Sequence, residues 1–416
     1  MNSRIMEDKE VETRFPIKIV RWSNEYTDSQ DQFLTPVLLQ DKNGPCPLIA
    51  LINTLILNKE LQLNNYVMND QVIPEVEQQK FNRIDELQQN LYKWNNQDGY
   101  VKLSDILEEL GDMILFYSQF KPLKYEIDQL LSKLPILNTG LNVNPNLISG
   151  NFQGDDLGSI LFHLFDLKFR HGWTVNQIES ESYNDGDQVD NYAKVVELLY
   201  ELQTFDSIQD YLLLPDETPE IASNKRLIEK WLDLNRTQLT KNGLNRLNMD
   251  VSNGEFIVFF RNNHFSTLFK KNHQEFYLLI TDSSFQNVSN RIVWQSLNSI
   301  SGKDDLFFSG TFFPILDIDQ DFQETNIDPD NDLMLIKQLQ EEEDSKLAAA
   351  MQAKYNKPVV SNSNQNGPSE LDRSDNSKPR MKTNSLLKRK TKDVDPSASG
   401  KKKSESKSKL EKCTIV

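Results

Sequence analysis

Apolar residues along the chain change from helical to strand-like spacing between its two halves. Near the start, Pro16-Ile17-Lys18-Ile19-Val20-Arg21-Trp22 mixes β-branched and aromatic residues with basic ones and predicts a strand. A polar connector from Ser23 to Gln32 leads to Thr35-Pro36-Val37-Leu38-Leu39, an extended segment that delivers the chain to Gln40. Leu48, Ile49, Leu51, Ile52, Leu55 and Ile56 then recur as on a helix with one wide buried face. Residues 61–135 continue mostly helical, with Ile84, Leu87, Leu91 and Trp94 on one packing face and Leu103, Ile106, Leu107, Leu110 and Ile114 on another. Residues 138–176 are Asn- and Gly-rich and irregular around a short apolar helix, Ile160 to Leu167. Helical stretches follow at Tyr192–Leu202 and Lys225–Leu234.

From Glu255 the period is that of strands, at 255–260, 275–281 and 291–294. Helices first and a sheet afterwards predict an α+β fold. A further apolar segment, 331–353, predicts a helix flanked by acids, and the Ser/Asn/Lys/Pro-rich residues 357–412 have the composition of a disordered linker. The expected organisation is a flexible N-terminus (1–15), one large body (16–320), an acidic helix (328–356), the basic linker and a terminal tetrapeptide, 413–416.

Composition narrows the chemistry. Hydrophobic residues make up only 38% of the 416, in keeping with one folded body and an unfolded tail. The net charge of −16 is uneven: residues 378–416 carry +9 and residues 1–377 carry −25. An acidic body argues against nucleic acid and suits a partner with a basic face. Cys46 and Cys413 are the only cysteines, which excludes a disulfide framework and fits a reducing, cytoplasmic compartment. Together with four scattered histidines they give no metal-ligand spacing. The N-terminus lacks the apolar core of a signal peptide, and no run of about twenty apolar residues suits a membrane span.

Cys46 follows a turn, Asn43-Gly44-Pro45, and precedes Pro47, a residue favoured at the first position of a helix. A cysteine at a helix N-terminus meets free N–H groups and the positive end of the dipole, which favour a thiolate. Two readings stay open on these residues: a nucleophile, or a buried structural cysteine. A thiol hydrolase also needs a base, and His264, between one strand and the next in Arg261-Asn262-Asn263-His264-Phe265, is the best candidate. His163 lies on an apolar helix, His273 in a polar turn, and His171, beside Gly172-Trp173, is either a site residue or a packed loop histidine.

Four ordered blocks sharpen this. They are Gln40-x-x-Asn43-Gly44-Pro45-Cys46-Pro47-Leu48 (with Ala50 and Asn53), His171-Gly172-Trp173, Thr237-Gln238-Leu239-Thr240-x-x-Gly243-Leu244, and Asn262-Asn263-His264-Phe265-Ser266-Thr267. The last continues into Tyr277-Leu278-Leu279-x-Thr281-Asp282 and Trp294-x-Ser296-Leu297. This pattern, over about residues 16–315, resembles the MINDY family of cysteine deubiquitinases. The resemblance implies a papain-like variant of the α+β class that cleaves isopeptide bonds in polyubiquitin, typically lysine-48-linked, without metal or cofactor. It implies Cys46 as nucleophile, His264 as general base, Gln40 as side-chain donor to the oxyanion, and Thr281 as the group orienting the imidazole, with Asp282 as second choice.

Asp332–Asp344 resembles the family's inverted ubiquitin-interacting helix. Its stripe of Leu335, Ile336 and Leu339 would dock on ubiquitin's apolar patch, and acids such as Glu341 and Glu342 would meet the basic rim. Ile336 stands where such motifs carry a small alanine, which would weaken binding. Cys413-Thr414-Ile415-Val416 fits a C-a-a-X prenylation motif behind a polybasic stretch, the two signals of a peripheral membrane tether. The rival readings are a catalytically silent ubiquitin-binding adaptor of the same fold and a thiol hydrolase for another substrate.

Overall fold

Arg14–Trp22 forms β1, the middle strand of an antiparallel sheet, between β2 (Phe33–Leu38) and β3 (Tyr100–Lys102). The computed structural model describes residues 12–24, 32–41, 46–121, 126–153, 156–176, 186–215, 218–286, 292–302 and 305–315, without the side chains of Cys46 and residues 186–190. By contacts the chain divides into two units, Met1–Asn356 and Lys357–Val416, and all described residues belong to the first. Both faces of β1 are covered: Phe15 and Ile17 join a helical core, while Val20 and Trp22 pack with a second sheet. Lys18, on the side of Val20, is therefore only 7% exposed. Its ammonium donates to the Phe285 carbonyl at 2.7 Å, and burial pushes its pKa down to about 8.

The second sheet has six strands in sequential order: β4 (Phe169–His171), β5 (Glu255–Arg261), β6 (His264–Asn272), β7 (Glu275–Leu279), β8 (Trp294–Ser296) and β9 (Phe307–Phe308). β4 runs parallel to β5, and every other pairing is antiparallel. Trp22 meets this sheet in an aromatic cluster with Phe256, Phe269 and Trp294.

Among the described residues the helices are α1 (Cys46–Met68), α2 (Glu75–Gln97), α3 (Leu103–Tyr117), α4 (Ile127–Lys133), α5 (Leu157–Leu164), α6 (Gly186–Leu202), α7 (Phe205–Leu213), α8 (Pro219–Leu234) and α9 (Lys241–Asp250). The helix-rich half followed by the sheet-rich half is the α+β class expected from the periodicity. Several helices start earlier than their apolar pattern because capping sets their first turn. Asp156 accepts from Ser159 N–H ahead of α5, and Thr218 accepts from Ile221 N–H ahead of α8, with Pro219 at its first position. Helix α1 departs from the expected single apolar face. Leu48, Ile49, Ala50, Leu51 and Ile52 are all buried, as in a helix enclosed on every side. Further along it, Glu60 is buried against Thr35 and accepts from the Gln88 amide at 2.7 Å; desolvation raises its pKa to about 7.

Candidate functional site

The polar residues inside α1 fix where its N-terminus points. Asn53 grips the backbone of β2: its Oδ1 accepts from Leu38 N–H at 2.8 Å and its Nδ2 donates to the Leu38 carbonyl at 3.0 Å. Thr54 shares a hydrogen bond with Thr267 of β6, oxygen to oxygen 3.0 Å. Asn58 repeats the two-way grip on β5, donating to Phe256 O at 2.7 Å and accepting from Phe256 N–H at 3.0 Å. At Asn53 and Thr54 the clip is a buried polar group with its partner supplied, so losing one side strands the other without water; Asn58 is half-buried. Asn53 and Thr54 are both fully buried.

These clips set a register. Phe256 pairs with Phe269, so Thr54 lies level with Thr267 and Asn58 with Phe269, and α1 runs in the direction of β6. From Thr54 back to the start of α1 is ~12 Å of helix. From Thr267 back to His264 is ~10 Å of strand. The backbone of Cys46 and that of His264 therefore reach the same end of the layer. The turn before Cys46 (42–45) lies outside the described residues, as does the Cys46 side chain.

Gln40 reaches this end by another route. The β6–β7 ladder runs only as far as Leu268–Leu278, and the chain after β7 turns its free polar groups to the segment carrying Gln40. Gln40 N–H donates to the Thr281 carbonyl at 2.5 Å, and Ser283 N–H donates to the Gln40 carbonyl at 2.8 Å. This substitution of partners is why Thr281, expected inside a strand, falls beyond β7. The Asp282 carboxylate accepts from Ser284 N–H at 2.8 Å, capping a short 3-10 turn, Ser283–Phe285, whose last carbonyl is the one Lys18 holds. Thr281 and Gln40 are thus joined through the main chain. Among the described residues no hydrogen bond joins Thr281 or Asp282 to the His264 imidazole.

His264 opens β6 directly after a two-residue hairpin turn. Asn262 and Asn263 hold φ of +51° and +59°, the left-handed pair that a tight hairpin requires and that asparagine tolerates. Burial pushes the imidazole pKa down to about 4, so the ring is neutral at physiological pH and free to take a proton. His171 is resolved differently. Its Nδ1 accepts from Trp173 N–H at 3.1 Å, which leaves Nε2 to donate to the Asn151 carbonyl at 3.1 Å, and Phe152 packs edge-on against the ring. Of its two readings, the packed histidine holds. His163 and His273 are exposed.

Burial also pushes His171 to about 4. Because this lies below the unfolded value of 6.5, the unfolded chain binds the extra proton between those limits. The contribution is complete above about pH 6.5 and is lost as pH falls toward 4, by about 3 kcal/mol in all. An NMR titration should find the His171 ring neutral at pH 5.5 in the folded protein; a midpoint near 6.5 would contradict the buried tautomer.

The remaining two blocks meet each other. Leu239 bridges Gly172, and Thr240 N–H donates to the Gly172 carbonyl at 2.9 Å. The Thr240 hydroxyl accepts from Gly243 N–H at 2.9 Å to cap α9 and donates to the Thr174 carbonyl at 2.7 Å. Gly243 sits so close that a Cβ there would lie 1.7 Å from the Gly172 oxygen.

Among the described residues no cluster of His, Cys, Asp or Glu could hold a metal ion, and no helix is long and apolar enough to cross a membrane. The proposed ubiquitin contacts Leu335, Ile336, Leu339, Glu341 and Glu342, and the proposed lipidation site Cys413, lie outside the described residues.

A family model described as MINDY deubiquitinase matches residues 13–312. The chain belongs to the MINDY deubiquitinase family. It is 32% identical over 325 residues to the ubiquitin carboxyl-terminal hydrolase MIY1 of Saccharomyces cerevisiae, covering 75% of this chain and 81% of that one. To human MINDY-2, a ubiquitin carboxyl-terminal hydrolase, it is 29% identical over 347 residues, covering 80% of this chain and 47% of the relative. Human MINDY-1 is 28% identical over 287 residues, 69% of this chain and 51% of its own. The chain thus spans most of the yeast relative and about half of the human ones. Membership in a family of cysteine deubiquitinases bears out the resemblance drawn from the four motif blocks.

The sequence reading missed Asn53, Thr54 and Asn58 as a set. Their signal was present: three short polar residues within or beside the apolar run 48–57, where a buried polar group needs a partner.

Proposed function

We propose that this chain hydrolyses isopeptide bonds in polyubiquitin, with lysine-48-linked chains as its substrate, in a cytoplasmic setting. The Cys46 thiol attacks the carbonyl carbon of the ubiquitin C-terminal glycine as His264 takes its proton. His264 then returns that proton to the departing lysine amine, leaving a thioester on Cys46. A water deprotonated by the same imidazole attacks the thioester and frees the ubiquitin carboxylate. The Gln40 amide and the Cys46 backbone N–H stabilise the oxyanion at both tetrahedral stages, a donor of this kind being worth about 10²–10³ in rate. Burial disfavours an imidazolium at His264, so the resting ring is neutral and able to act as the base. The orienting role of Thr281 toward the ring rests on the family resemblance; what supports its place near the site is its carbonyl, which accepts from Gln40 N–H.

The observation that carries this reading is the clamp: Asn53 ties α1 to the strand leading to Gln40, and Thr54 ties it to the strand led by His264. Lysine-48 preference is supported by the family resemblance. The acidic helix around Leu335–Glu342 would hold a further ubiquitin, and prenylated Cys413 with its basic linker would tether the enzyme to a membrane surface.

The test is a panel of ubiquitin tetramers of every linkage, incubated with purified protein. The expected result is loss of the lysine-48 tetramer ahead of all others. Equal cleavage of every linkage would remove the specificity, and binding without cleavage would favour the silent adaptor.

A further inference from the structure

The block Thr237-Gln238-Leu239-Thr240 has no role in the chemistry above, yet it touches the turn that presents His264. The Gln238 side-chain oxygen accepts from Asn262 N–H at 2.9 Å. Next to it, Arg261 Nε donates to the Thr237 carbonyl at 2.8 Å, and its Nη2 donates to the Ile300 carbonyl at 2.8 Å. Gln238 itself is held in the left-handed region, φ +51°, an unfavourable conformation for a glutamine that the surroundings must impose. What imposes it lies on the following residues: Leu239 bridges Gly172, and Thr240 donates to the Gly172 carbonyl. Gly172 is in turn pressed against Gly243. Three separate sequence blocks thus form one continuous bracket that ends at the Asn262-Asn263 turn.

We infer that Gln238 is a positioning residue for His264, acting through the Asn262 N–H to fix the hairpin turn from which the imidazole projects. The inference rests on the hydrolase reading proposed above. The turn holds two non-glycine residues at positive φ, and His264 is the first residue after it, so a contact to the turn backbone acts two residues from the imidazole. The Gln238 oxygen, itself held from outside, gives the Asn262 N–H a fixed partner and so sets the angle at which the turn delivers His264. A misplacement of about 1 Å at a reacting group costs up to about 10²-fold in rate.

Two variants separate this from a general structural role. Gln238→Met keeps the length and removes the acceptor; Gln238→Glu keeps an acceptor beside Arg261. With lysine-48-linked tetraubiquitin, Gln238→Met should lower kcat by about 10- to 100-fold at nearly unchanged KM. Gln238→Glu should recover most of the wild-type kcat. Wild-type kcat in Gln238→Met would overturn the inference. Equal impairment of both variants with raised KM and lowered Tm would overturn it too, by assigning Gln238 to stability alone. Absence of cleavage by the wild-type protein would instead remove the hydrolase reading, and the positioning role with it.

Discussion

Cys46→Ala is expected to abolish ubiquitin-chain hydrolysis, a fall of about 10⁶ in kcat, the scale seen when an enzyme's nucleophile is deleted. A methyl group cannot form the thioester, and none of the other proposed site residues carries a thiol. The three clips on α1 involve Asn53, Thr54 and Asn58, so the substitution leaves the helix anchored to β2, β5 and β6. Folding should therefore be kept while chemistry is lost, with Tm within about 2 °C of wild type. His264→Ala is expected to fall as far, and the double variant no further, because nucleophile and base act as a unit. Single-turnover assays on the four proteins would show this; additive losses would mean that the two residues serve separate steps.

Gly243→Ala is expected to be strongly damaging despite its small size. Its added Cβ would stand 1.7 Å from the Gly172 carbonyl oxygen and 2.4 Å from the carbonyl carbon, both main-chain atoms with no rotamer to escape into. Relief requires α9 to back away from the chain that follows β4. That movement strains the Thr240–Gly172 hydrogen bond and the bridge at Leu239. A loss of at least about 3 kcal/mol follows, which for a body of this size lowers Tm by about 5–10 °C. Activity should fall out of proportion to stability, since the displaced bracket is the one that ends at Asn262. Stability within about 1 kcal/mol of wild type in denaturant titrations would show that the two glycines do not need each other.

What the sequence disclosed, and what it concealed, follows from the physics of each element. The long amphipathic helices α2 and α3 announced themselves, because fifteen or more residues sample every direction of the 3.6 period. Helix α9 did not: Lys241–Asp250 is rich in asparagine and has poor helix propensity, and it forms because Thr240 caps it and Gly243 docks. The burial of Lys18 was not legible, since nothing local indicates that a second sheet covers its face. Thr281 read as a strand residue because only the distant Gln40 reveals that the chain there has changed partners. The candidate site was legible as residue types in a family order. Its construction was not, because the clips at Asn53, Thr54 and Asn58 join residues up to 213 positions apart.

The central claim is that Cys46 is the thiol that attacks ubiquitin's C-terminal carbonyl. Its most direct test is to incubate the protein with ubiquitin whose last residue carries a thiol-reactive electrophile and to locate the adduct by peptide mass spectrometry. The expected result is one ubiquitin per chain, attached to Cys46, with no adduct in Cys46→Ala and a much slower reaction in His264→Ala. An adduct on Cys413, or one that persists at equal rate in Cys46→Ala, would contradict the account.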